Sequence, residues 1–215
     1  MLAYIINAIY LQIITSKYHG ENNMNIKPSI RFLQLADWGG QDEYPYYNPS
    51  QLATSLQMGN VSDITSPQFV LALGDNFYKS GIEGSYESPR FEETWNSVYT
   101  SKSLQVNWYV CAGNHDHRGN VFAQIEYSKH SSRWTFPSYY YKRSFYSLDG
   151  SLKLDLIMMD TSLYTGVNKG SDFPNSYADE TQHQFIANAL EQSTADYIIV
   201  AGHYPVYRYA PSQWQ

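Results

Sequence analysis

Four predominantly apolar runs of the chain end abruptly in polar residues. "IRFLQLA" leads to Asp37, "QFVLALG" to Asp75, "VNWYVCAG" to Asn114 and "YIIVAG" to His203. Runs of this length and composition predict core strands whose carboxyl ends all deliver polar side chains. Between them the pattern turns helical. "NPSQLATSLQMGNV" opens on a cap-like Asn48 with Pro49 at the first helical position, and "SPRFEETWNSVY" repeats that arrangement with Ser88 and Pro89. "ADETQHQFIANALEQS" predicts a third helix, with Phe185, Ile186, Ala189 and Leu190 as its buried stripe. "YYYKRSFYSLDGSLKLDLIMMD" alternates on both sides of Asp149-Gly150, which predicts an antiparallel hairpin closed by a tight type I′ turn. No internal repeat or low-complexity linker interrupts the pattern, so it describes one layered α/β unit.

Composition narrows the function classes. With 215 residues and 43% hydrophobic content the chain can bury a sizeable core, enough for one domain or a large part of one. Its 14 basic and 20 acidic side chains give a formal charge of -6, which offers no footprint for a nucleic-acid backbone and excludes nucleic acid as a partner. The 21 tyrosines and 5 tryptophans are read mainly as packing residues with polar tips. Cys111, the single cysteine, can form no internal disulfide and reads as a small buried hydrophobe. The opening "MLAYIINAIYLQIIT" lies in an N-terminal apolar segment, residues 1–30, read as a candidate signal peptide. It is too short for a stable membrane span, which needs about 20 apolar residues. The sequon Asn60-Val61-Ser62 points the same way, toward a secreted or lysosomal glycoprotein.

Ligands of open α/β sheets bind beyond the carboxyl ends of the strands, where residues distant in sequence converge. Asp37, Asp75, Asn114 and His203 each hold that position on a different predicted strand. Oxygen donors, an imidazole and the nearby phenol of Tyr78 form a mixed hard and borderline set, suited to iron, manganese or zinc. Asp75 is the carboxylate best placed to bridge two ions, and two metals about 4 Å apart can hold a phosphoryl oxygen while activating water. Fe(III) is acidic enough to deprotonate a phenol of pKa about 10, so Tyr78 could join Asp75 on one ion as a phenolate with a visible charge-transfer colour. Taken singly, each acid reads as a turn or cap residue, Tyr78 as a packing aromatic and His203 as a structural histidine. Four strand ends together carry the metal reading. His115 follows a candidate ligand, so its ring is expected to face substrate and either stabilise a transferred phosphoryl group or protonate the leaving alkoxide. Asp116 is expected to support and orient that ring without touching the ions, and His117 is read as a surface residue ahead of a supporting one.

The blocks "ADWGG", "GDNFY", "GNHD" and "GHYPV" resemble the first four of five metal-binding blocks of the purple acid phosphatases, within the metallophosphoesterase superfamily. "WYVCAGNHDHRGNVFAQIEYSKHSSRWTFPSYYY" is similar over its length to the small, mammalian-type, tartrate-resistant group of that family. The likeness runs from about Arg31 to Val206. It implies an α/β metallophosphoesterase-type αββα sandwich, with residues 31–215 forming a catalytic domain that lacks its C-terminal portion. It also implies a dinuclear cofactor, with Asp37, Asp75 and Tyr78 on Fe(III) and Asp75, Asn114 and His203 on a divalent Fe, Zn or Mn. His115 would be the substrate-contacting histidine. The implied activity is hydrolysis of phosphate monoesters by a metal-bound hydroxide, on a small phosphate ester or a phosphoprotein. Most superfamily members carry Asp-x-His in the first block; here it reads Asp37-Trp38-Gly39, consistent with Tyr78 replacing that histidine.

The sequence departs from the family in two respects. The fifth block, Gly-His-x-His, which gives one histidine to each metal, is not found in it, and Pro211 and Ser212 stand where mammalian-type members carry an acid and a histidine. The resemblance therefore implies weakened metal retention and impaired turnover. It leaves open an alternative, a non-catalytic binding or regulatory protein on the same scaffold.

Overall fold

A computed structural model describes residues 9–14, 28–166 and 180–205. Two sheets make its frame. The first takes β1 (Ile9–Ile14), β2 (Ser29–Leu35), β3 (Phe69–Leu73), β4 (Asn107–Cys111) and β5 (Trp134–Thr135), in that spatial order. β1 pairs antiparallel with β2, and the remaining strands run parallel, with Phe32 opposite Phe69 and Phe69 opposite Asn107. The second sheet is the hairpin of β6 (Tyr141–Tyr146) and β7 (Lys153–Met158), with β8 (Tyr197–Ala201) parallel to β7. The described residues also form four α-helices: α1 (Pro49–Thr65), α2 (Val121–Tyr127), α3 (Thr161–Thr165) and α4 (Glu180–Glu191). Among the described residues no helix is long and apolar enough to cross a membrane.

The layered α/β class read from the sequence is what forms, and His203 enters from the second sheet while the other three strand ends belong to the first. The sheets meet through aromatic rings. Phe145 of β6 stacks on Phe69 at 3.9 Å and meets Tyr109 edge-on at 5.0 Å, and the Tyr141 hydroxyl donates to the Val110 carbonyl at 2.9 Å. On the opposite face of β4, Trp108 lies within 6 Å of Trp38, Trp95 and Tyr99, and all four are buried. Edge-to-face geometry of this kind stabilises aromatic pairs beyond the area they bury.

Three local expectations need correction. "SPRFEETWNSVY" forms a π-helical turn over Phe91–Asn96, not a regular helix. The cause lies opposite it. α1 starts as predicted, with Asn48 Oδ1 accepting the Gln51 N–H at 2.9 Å, yet apart from Met58 its inner face is largely polar: Gln51 donates to the Thr94 carbonyl and Ser55 to the Val98 carbonyl. These side chains satisfy carbonyls that a regular α-helix would have paired internally. Leu52, Leu56 and Ile64 consequently face solvent. The expected buried stripe of α4 reduces to Gln182 and Ala189, with Leu190 exposed and Phe185 half-buried against Tyr140. The hairpin closes through Ser147–Leu152, where Gly150 alone takes positive φ; a type I′ turn needs two such residues.

Asp155 on β7 is fully buried and was not singled out by its sequence context. Lys142 donates to it at 2.7 Å, Ser144 at 2.5 Å and Ser193 at 2.6 Å. Burial alone would raise its carboxyl, but these donors outweigh it and hold the group down at about 2. A depressed carboxyl contributes stability above its unfolded value and loses it as pH falls through the folded one. Asp155→Asn should therefore cost about 2 kcal/mol at neutral pH. The gap to the wild type should close between about pH 4 and pH 2 in denaturant melts. A gap that stays constant over that range would show that Asp155 contributes through packing alone.

Candidate metal centre

Each strand end turns sharply, and the turns aim side chains inward. Asp37 and Asp75, the residues just beyond β2 and β3, both adopt left-handed φ, at 57° and 53°. Such strain in a non-glycine residue persists where the surroundings impose it, commonly at functional sites. Here the Asp37 N–H donates to the Gly74 carbonyl at 3.1 Å, tying the two turns together. Gly113 lets the third turn approach, since a β-carbon there would collide with the amide and carboxylate of Asp75.

Ligand atoms of Asp37, Asp75 and His203 all lie within 4.8 Å of one another. The Tyr78 hydroxyl is 3.0 Å from Asp37 Oδ1. His203 Nε2 is 3.1 Å from Asn114 Oδ1 and 3.5 Å from Asp75 Oδ1. All five sequence-predicted ligands thus come together. Backbone carbonyls orient both histidines: His203 Nδ1 bonds Leu73 O at 2.9 Å, and His115 Nδ1 bonds Lys79 O at 2.6 Å. A carbonyl only accepts, so Nδ1 carries the proton in each ring and Nε2 is turned toward the site. His115 Nε2 lies 3.9 Å from Asp75 Oδ2, and its ring meets Tyr78 edge-on at 4.8 Å.

The electrostatics favour a cation. In the neutral ring the Nε2 lone pair of His203 faces two further acceptors, and among the described residues no lysine or arginine forms an ion pair with Asp37 or Asp75. Burial, then the charges of Asp75 and Asp37, push the Tyr78 phenol far above its ordinary range. Without a Lewis acid that phenol stays protonated and donates to Asp37; beside one it can supply a phenolate oxygen. The donor set fits metal ions of the hard to borderline class. A cleft of about 550 Å³, bordered by Asp37, Tyr78, Asn48 and Thr54, opens next to it.

Residues 30–215 match the calcineurin-like phosphoesterase family. The chain belongs to that family. The chain is 40% identical over 192 residues to tartrate-resistant acid phosphatase type 5 of Oryctolagus cuniculus, covering 85% of this chain and 58% of that protein. It is 34% identical over 190 residues to purple acid phosphatase 4 of Arabidopsis thaliana, covering 83% of this chain and 52% of that protein. It therefore spans a little over half the length of these relatives. Among solved structures, the Plasmodium protein described as "GAP50 the anchor in the inner membrane complex" aligns with a TM-score of 0.69 at 23% identity, over 85% of this chain and 57% of that one.

Two expectations about the site change. Asp116 does not hold the His115 ring, because Lys79 O already does. Its carboxylate is fully buried and accepts from the N–H groups of Gly113 at 2.8 Å, Asn76 at 3.1 Å and Phe77 at 3.2 Å, and from Gln124 at 3.0 Å. Asp116 thus ties the backbones of the second and third loops. Burial pushes its carboxyl up to about 6, against those hydrogen bonds. His117 is not at the surface either: its Nε2 bonds Asp160 Oδ2 at 2.6 Å in the core, and Gln182 of α4 clasps both main-chain polar groups of Asp160. Gly119, whose β-carbon would meet Ser80 and Ile82 carbonyls, was the available signal that this turn folds inward.

Proposed function

We propose that this chain carries the metal-binding part of an acid phosphatase that hydrolyses phosphate monoesters. The observation that carries the reading is the convergence of Asp37, Asp75, Tyr78, Asn114 and His203, with neither carboxylate ion-paired to a lysine or arginine among the described residues. Asp37, Asp75 and Tyr78 would hold Fe(III), and Asp75, Asn114 and His203 a divalent iron, zinc or manganese. When bound, the ions supply Lewis acidity toward a phosphoryl oxygen and lower the pKa of water. Likeness to tartrate-resistant and purple acid phosphatases supports the substrate class.

The chain's own residues supply the rest. His115, its Nδ1–H held by Lys79 O, presents Nε2 beside Asp75. In its protonated form that nitrogen donates to a phosphoryl oxygen or gives its proton to the departing alkoxide. Exposure of Asn60 on α1 supports glycosylation at the sequon, and with it a secreted or lysosomal location.

The test is direct. The protein is loaded with Fe(III) and Zn(II), then metal content, visible absorption and hydrolysis of p-nitrophenyl phosphate are measured, with and without a chelator. Two metals per chain, a phenolate band that Tyr78→Phe removes, and turnover that chelation abolishes are expected. Turnover indifferent to chelation would reject the reading. Metal binding without turnover would favour a non-catalytic scaffold.

A further inference from the structure

We infer that Arg90 is a positioning residue for this centre, setting both Tyr78 and His115 through main-chain groups; the metal half of the inference rests on the proposed function. Arg90 sits just before the π-helical turn with its guanidinium buried. Nη1 donates to the Gly81 carbonyl at 3.2 Å, and Nη2 to the carbonyls of Gly39 at 3.2 Å and Gln41 at 2.9 Å. Gly39 and Gln41 belong to the loop after Asp37, and Gly81 to the loop after Asp75. The group lies between the rings of Tyr46 and Phe77, 5.4 and 5.5 Å from their centres.

Two short paths lead from this clamp to the site. The Gly39 carbonyl that Arg90 holds also accepts the N–H of Tyr78 at 3.0 Å. Asp42, 3.6 Å from Arg90 Nη1, accepts the N–H of Lys79, whose carbonyl accepts the His115 Nδ1–H. One guanidinium therefore governs where the phenol meets Asp37 and which tautomer His115 adopts. A planar fork reaches three carbonyls of two loops at once from two nitrogens held apart in fixed directions, whereas the three donors of an ammonium radiate from a single atom.

Arg133 supplies a matched control. It too is an arginine clamp, donating to Asn96 and to the carbonyls of Tyr99 and Leu104 over the Trp95 ring, and it touches neither metal loop. The experiment compares Arg90→Lys, Arg90→Gln and Arg133→Lys with the wild type. Melting temperature, Fe(III) affinity by chelator competition, the visible band, and the imidazole ¹⁵N signals of His115 in metal-free protein are measured. All three variants should melt lower. Only the Arg90 variants should lose at least about tenfold in iron affinity, the scale on which partners of metal ligands act. Only they should displace the band and shift His115 away from the Nδ1–H tautomer. Arg90 variants that match Arg133→Lys in iron affinity, band and His115 signals overturn the inference. A wild type that binds no iron rejects the proposed function, and the metal-free His115 signals still decide the role of Arg90: unchanged signals reject it. Comparing two Arg90 variants keeps the conclusion from depending on one of them folding.

Discussion

Asp75→Asn is expected to abolish metal retention and to cost about 10³-fold in turnover, near 4 kcal/mol of transition-state stabilisation. The same change should leave the metal-free protein at least as stable as the wild type. Asp75 is 2% exposed and holds φ at 53°, a region asparagine tolerates better than most residues. Asparagine also keeps an oxygen to accept the His115 N–H, now bonded at 2.9 Å. Only the charge is lost. That charge belongs to the carboxylate which, on the proposed reading, both ions share. In chelator the change relieves repulsion with Asp37, whose ligand atom lies within 4.8 Å, and a gain of about 1 kcal/mol is expected with screening as strong as that of bulk water. Thermal melts with chelator and with Fe(III) plus Zn(II) read both effects. Persisting metal-dependent stabilisation in the variant, or turnover within about tenfold of the wild type, would show that Asp75 is not the shared ligand.

The strand ends were legible because an apolar run that stops at a polar residue reports burial and exit together. β2, β3, β4 and β8 lie where the pattern put them, and Asp37, Asp75, Asn114 and His203 meet as expected from their positions at carboxyl ends. Tyr78 was legible through its spacing from Asp75. Less legible was anything decided by main-chain groups. His115 looked as though its neighbour Asp116 should orient it, yet a side chain in a tight turn rarely faces the next one, and the carbonyl of Lys79, 36 residues away, does so. Arg90 carries no motif, because its partners are three carbonyls that sequence does not label.

Helices misled for a related reason. Amphipathic periodicity assumes that the core is apolar. α1 instead turns Gln51 and Ser55 inward because the irregular segment beside it offers free carbonyls, and α4 buries Gln182 to clasp Asp160. Where the partner is polar backbone, the buried face is polar as well. A hydrophobic stripe then marks the exposed side, as with Leu52, Leu56 and Ile64.

Asp116→Asn is expected to cost about 3 kcal/mol, although it changes one atom. Both carboxylate oxygens are fully engaged: Oδ2 accepts from Gly113 and Asn76, and Oδ1 from Asn76, Phe77 and Gln124. An amide can place its oxygen on only one side. Its NH₂ then faces either the Gly113 N–H or the Phe77 and Gln124 donors, which have no other acceptor among the described residues, and each unsatisfied donor costs about 1–3 kcal/mol. For a domain of this size the loss corresponds to a fall of about 10 °C in melting temperature. It should be local in origin. The amides of Asn76, Phe77 and Gly113 should exchange faster with deuterium, while amides in β6 and β7 keep wild-type protection. Those loops flank Asp75 and Asn114, so iron affinity should fall with the same substitution even where the protein remains folded. A melt within about 1 kcal/mol of the wild type, or unchanged exchange at the three amides, would mean that the loops hold their shape without this carboxylate.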